Sequence, residues 1–185
     1  MRMDQALACM ERFLQMDDFE GLETDEQAQA PTFTAPRRFI GWMLGSLVFH
    51  YGYGIGRVGN AIGKILEKGE AGLSETDNIY LRDLRKELQD YETLLESAKG
   101  LHARVDNTEE VNIQSYDNYH CPMIDVLNYV EHVCRQNGDD DDANKAESLV
   151  EDAQTSLIDD TALSYPLSWP TAFTMFKRSR RVAAG

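Results

Sequence analysis

Residues 37–68 read RRFIGWMLGSLVFHYGYGIGRVGNAIGKILEK, and the glycines in this stretch decide the fold. Gly41, Gly45, Gly52, Gly56, Gly59 and Gly63 lie four, seven, four, three and four residues apart. On an α-helix that spacing puts all six on one face, with Val48 filling the gap. A glycine inside a helix costs about 1 kcal/mol relative to alanine. Six on one face need an offset, and the usual one is close backbone approach by another helix, as in small-xxx-small seams. The segment reads as a helix with a glycine face built to be covered.

The next segment supplies a helix to pair with it. Gly69 and Gly72 end the first helix, and Ser74-Glu75-Thr76-Asp77 is a capping box with aspartate in place of glutamate. Beyond it, Leu81, Leu84, Leu88, Tyr91, Leu95, Ala98, His102 and Val105 alternate at spacings of three and four. That is an a/d seam held for about four heptads. A glycine-faced helix, a short turn and a heptad-faced helix predict a helical hairpin over 37–105. The expected fold is mainly α, with this hairpin as core, further short helices and extended termini.

Outward from the hairpin, residues 1–36 read as an acidic N-terminal helix and linker. Leu7, Met10, Phe13 and Leu14 have helical spacing within 3–16, and 17–35 is acidic, then rich in Gln, Ala, Thr and Pro. Residues 106–162 form a C-terminal helical region. It begins with a polar loop over 106–120. Pro122 then suits the first turn of a helix running to about Gln136, and Gly138 stops that helix. Asp139 to Asp142 open another helix to about Ile158, acids at its N-terminus complementing the dipole. Residues 163–185 are an aromatic, proline-broken segment, packed extended or as one short helix, with a basic tail of Lys177, Arg178, Arg180 and Arg181.

The net charge is −14, unevenly spread. Residues 1–36 carry −6, 37–68 carry +4, 69–118 carry −7, 119–170 carry −9 and 171–185 carry +4. The acidic segments disfavour general nucleic-acid binding, leaving the C-terminal tail as its one plausible contact. The basic segments suit acidic surfaces, within the chain or between copies. Three cysteines, Cys9, Cys121 and Cys134, make no disulfide framework and favour a reducing compartment. Five acids within Met1–Gly21 disfavour a secretory signal.

The sequence offers four candidate chemistries. Phe39 to Gly56 is eighteen residues without a formal charge, flanked by arginines, with Trp42, Tyr51 and Tyr53 as interface aromatics. A membrane contact through 39–56 is therefore an alternative, but its glycines, Ser46 and His50 fit a buried, close-packed helix better. Zinc is disfavoured because His120-Cys121 and His132-x-Cys134 lack the usual ligand spacing. Asp140, Asp142, Asn144, Ser148 and Glu151 match calcium-loop positions, but Lys145 stands where the loop needs glycine. G-x-G-x-x-G occurs at Gly54–Gly59 without the strand–helix alternation of a nucleotide fold. No cofactor, no metal and no catalytic constellation is expected.

The order of segments over residues 1–105 resembles structural virion proteins of large tailed bacteriophages: an acidic N-terminal helix and linker, a glycine-rich amphipathic stretch, a charged heptad helix. The resemblance implies an internal or capsid-associated component, in the virion or the host cytoplasm, and transfers no functional residue. The expectation is a non-enzymatic, multi-copy assembly subunit. Its interface residues are the six stripe glycines, Leu81, Leu84, Leu88, Tyr91 and Leu95, and Lys177, Arg178, Arg180 and Arg181. The rivals are an acidic nucleic-acid mimic that inhibits a host enzyme, and a membrane-embedded accessory subunit.

Overall fold

The computed structural model describes residues 31–69, 72–105, 109–115, 121–158 and 168–183, without the side chains of 157, 158 and 181–183. The N-terminal helix expected at 3–16 lies outside the described residues. Two strands and five helices follow one another: β1 Thr32–Pro36, α1 Arg37–Leu66, α2 Glu75–His102, β2 Glu110–Gln114, α3 Pro122–Gln136, α4 Asp140–Ile158 and α5 Trp169–Ala183. The fold is mainly helical, with α1 packed along α2 and α3 along α4.

Local chemistry sets the helix ends. The Ser74 hydroxyl accepts from the Asp77 backbone N–H, and the Asp77 carboxylate accepts from the Ser74 N–H, completing the capping box that starts α2. Lys68 Nζ, just past α1, donates to Asp77 Oδ1 at 2.7 Å. With these donors, Lys68 foremost, the Asp77 carboxyl is pulled down to about 2. The α1–α2 turn is thus held from both sides. Pro122 opens α3. At its end Gly138, at φ 77°, donates to the Arg135 carbonyl, and Asp139 N donates to Cys134 O at 2.9 Å. This pair of bonds is a Schellman closure, which needs the left-handed backbone that glycine adopts without a Cβ clash. The chain then turns directly into α4, whose first turn holds Asp140, Asp141 and Asp142.

Two stretches expected as linker and loop are strands. β1 and β2 pair antiparallel, Thr32 opposite Gln114 and Pro36 opposite Glu110. Ala35, Val111 and Ile113 are buried and Phe33 half-buried, while the alternate residues face outward. The ribbon is extended by Ser115 N donating to Pro31 O and by Arg37 N donating to Glu109 O. The C-terminal aromatic segment is helical from Trp169, and Lys177 to Arg181 lie in α5 rather than in an extended tail.

One core joins all these elements. It contains Phe39, Met43, Leu44, Leu47 and Tyr51 of α1, Ala98 and Leu101 of α2, Met123, Ile124, Val126 and Leu127 of α3, Leu149 and Ala153 of α4, and Trp169 and Phe176 of α5. Phe33 stacks on Trp169 at 4.4 Å between ring centroids, and Phe39 touches Trp42, Trp169, Phe173 and Phe176. Polar ties fix the helices' relative positions. Trp169 Nε1 donates to the buried Asp125 at 2.8 Å, joining α5 to α3. Tyr51 Oη donates to Asp152 at 2.8 Å, joining α1 to α4.

Candidate protein-interaction face

The hairpin uses a different face of α1 from the glycine stripe. The buried residues of α1 are Phe39, Ile40, Met43, Leu44, Leu47, Tyr51, Gly54 and Val58. At 100° per residue they centre well over a third of a turn from the stripe. The glycine that α2 approaches closely is Gly54, which lies off the stripe. A Cβ there would sit 3.1 Å from two atoms of the Tyr91 ring. On the heptad seam Leu81, Leu84 and Ala98 are buried, Leu88, Tyr91, Leu95 and Val105 are half-buried, and His102 is exposed.

The stripe faces outward. Gly41 and Gly45 lie at its shielded end, where a Cβ would meet Val105 at 3.4 Å and His102 at 3.8 Å. At Gly52, Gly56, Gly59 and Gly63 no atom of the described residues beyond the local helix backbone comes within 4 Å of that position. Beside them Phe49 is 72% exposed and Tyr53 66% exposed, one helical turn apart. Arg38, Gly41, Trp42, Gly45, Ser46, Phe49 and His102 line an open depression of about 450 Å³ at the N-terminal half of this face. The result is a helix face with bare backbone along its middle and two aromatic rings standing beside it.

α5 adds charge nearby. Phe176 packs 5.7 Å from Trp42, ring centre to ring centre, so the two basic segments of the chain meet. Lys177, Arg178 and Arg180 are exposed, and among the described residues none of them is in an ion pair. The side chain of Arg181 lies outside the described set.

The acidic run at 139–142 is partly engaged within the chain. Arg104 Nη1 lies 2.7 Å from Asp142 Oδ2 and 3.6 Å from Asp139, and Lys145 Nζ lies 2.8 Å from Asp142 Oδ1. Asp142 is buried, so its charge needs these cations, whereas Asp140 and Asp141 are exposed. His50, half-buried against Tyr51, has its pKa lowered by burial; Asp152 opposes that shift and Arg57 reinforces it.

Residues 140–151, which match calcium-loop positions in sequence, run within α4 as continuous helix. Cys121 is buried and Cys134 half-buried. Among the described residues, no three His, Cys, Asp or Glu side chains gather where a metal ion could sit. Among the same residues, no helix is long and apolar enough to cross a membrane. No protein family, no curated protein and no solved structure matches the chain.

Proposed function

We propose that this protein is a non-enzymatic subunit of a larger protein assembly and docks through the outer face of α1. The supporting observation is that face itself. Phe49 and Tyr53 stand exposed beside four glycines whose open side meets none of the described residues. Burying an aromatic side chain of this kind is worth about 1.5–3 kcal/mol. The glycines cost the free helix about 1 kcal/mol each and serve no close contact within the described fold. Both facts favour a partner whose backbone comes close. The adjoining cations of α5 favour an acidic one, and the exposed Asp140 and Asp141 of a neighbouring copy have the matching charge. On the resemblance of residues 1–105, the particle is a bacteriophage virion.

The test is the mass of the native particle, with Phe49→Ala/Tyr53→Ala as the probe. The natural chain should sediment in a multi-subunit species. The double variant should keep its helicity and drop out of that species. A natural chain that always sediments as a lone 21.0 kDa monomer would overturn the reading.

A further inference from the structure

The outer face of α1 begins in a basic patch, and α4 carries exposed acids on a different surface of the same chain. We propose that the partner is a second copy, whose α4 docks those acids on the basic patch of α1 and α5, so that copies join head to tail. This rests on reading the outer face of α1 as a docking surface, and it adds the occupant and the symmetry of the contact.

The basic patch is built by packing. Trp42 of α1 meets Phe176 of α5 at 5.7 Å between ring centroids. Arg38 is exposed one turn before Trp42, and Lys177 and Arg180 are exposed within one turn after Phe176. Arg38 and His102 also line the open depression beside Trp42. On the other surface, Asp140, Asp141 and Glu151 of α4 are exposed. Asp140 and Glu151, eleven residues apart, share one helix face and lie about 16 Å apart along it. An interface of ordinary size, about 800 Å² per partner, covers that length, so one α4 can reach cations of both helices. Among the described residues, none of these three cations and none of these three acids is in an ion pair.

Charge selects both the partner and the symmetry. The net charge of −14 repels nucleic acid from the molecule as a whole, whereas a second copy supplies acids already held on a rigid helix. Two copies meeting through the same patch would set cations against cations, or acids against acids, and such like-charge contacts are unfavourable. The favourable contact joins unlike surfaces. α4 packs on α2 and α3, while the cations stand on α1 and α5, so each copy keeps one surface free after using the other. A contact between unlike surfaces is heterologous, and it grows into a ring or a filament rather than ending at a two-fold dimer.

Charge-neutral variants of the full chain provide the test. Arg38→Gln/Lys177→Gln/Arg180→Gln removes the basic surface, and Asp140→Asn/Asp141→Asn/Glu151→Gln removes the acidic one. In sedimentation the purified natural chain should grow past two chains as its concentration rises, and fall back toward monomer in high salt. Each variant alone, with native circular dichroism, should self-associate about tenfold more weakly. Their equimolar mixture should regain association but stop at two chains, because the one intact contact leaves no charged surface to continue it. A natural chain that stays monomeric, growth that ends at two chains, or a mixture no more associated than its components would overturn the proposal. Particle entry of Phe49→Ala/Tyr53→Ala is independent of this. If entry depends on those rings but purified chains do not join, only the second copy fails as partner. If the mixture forms its pair but entry ignores the rings, only the assembly reading of that face fails.

Discussion

Replacing Gly59 and Gly63 with alanine should make the free protein more stable and the assembly weaker. Both positions lie inside α1 with helical backbone, and a Cβ at either meets none of the described residues within 4 Å beyond the local helix. Each substitution therefore keeps the helix-propensity gain, about 1 kcal/mol per site, and incurs no overlap. Together they should add about 2 kcal/mol. For a chain of this length that raises the thermal midpoint by roughly 4–8 °C. Gly54→Ala is the contrast. It has the same propensity gain, but its methyl group would press on the Tyr91 ring at 3.1 Å. Such overpacking costs about 1–3 kcal/mol, so the midpoint should stay level or fall. Calorimetry on the natural chain and the two variants measures these shifts, and co-sedimentation with the particle measures assembly. A midpoint that falls for Gly59→Ala/Gly63→Ala would refute the reasoning, because the stripe would then be packed inside the fold. A rise with unchanged particle entry would remove that end of the stripe from the interface.

Three further outcomes follow from the same geometry. Trp169→Phe removes one hydrogen bond to the buried Asp125 and should cost about 1–3 kcal/mol in urea unfolding, with α5 becoming more susceptible to protease. His50 titrates below its usual 6.5 in the fold, so between the two values the unfolded chain binds more protons; its contribution to stability is complete above 6.5 and is lost as pH falls toward the folded value. Urea midpoints across that window should flatten in His50→Gln, and an unchanged slope would remove His50 as the source. Lys177→Ser/Arg178→Ser/Arg180→Ser should keep native helicity yet reduce particle entry and its salt sensitivity; normal entry with lost binding to nucleic acid or anionic vesicles would transfer those cations to another partner.

Much of the helical framework was legible because its signals are local. Ser74 and Asp77, Pro122, Gly138 and the acids after it each act within a few residues of the boundary they set. The α2 seam was legible from its spacing. The strands were not. Each is five residues long, and Phe33–Ala35 and Val111–Ile113 supply only one step of alternation apiece. Their pairing joins residues 78 positions apart, as Thr34 and Asn112 show, which no local pattern reveals. The stripe was legible as a face but not as the outward one. Met43, Leu47, Tyr51 and Val58 repeat at helical spacing just as the glycines do, and which set meets α2 is a tertiary outcome. Gly54 stood out only as part of a glycine motif, not as the close-packing site, because a close approach by Tyr91 depends on where that ring comes to lie. The pairing of Arg104 with Asp142 was equally hidden, since it joins the turn after α2 to α4 across an intervening strand and helix.

The two-stranded ribbon also has a kinetic consequence. Hairpins α1–α2 and α3–α4 join neighbours in the sequence, and such contacts form early because little chain must be closed to make them. β1 and β2 can meet only when the whole of α1 and α2 has been looped back. For 78 residues that closure costs roughly 4 kcal/mol in entropy. The ribbon should therefore form late, on a hairpin already built, and Phe33 reaches its seat on Trp169 only then. Refolding should show the helical circular dichroism signal returning before the near-ultraviolet signal of Trp169, and Val111→Ala should speed unfolding more than it slows folding.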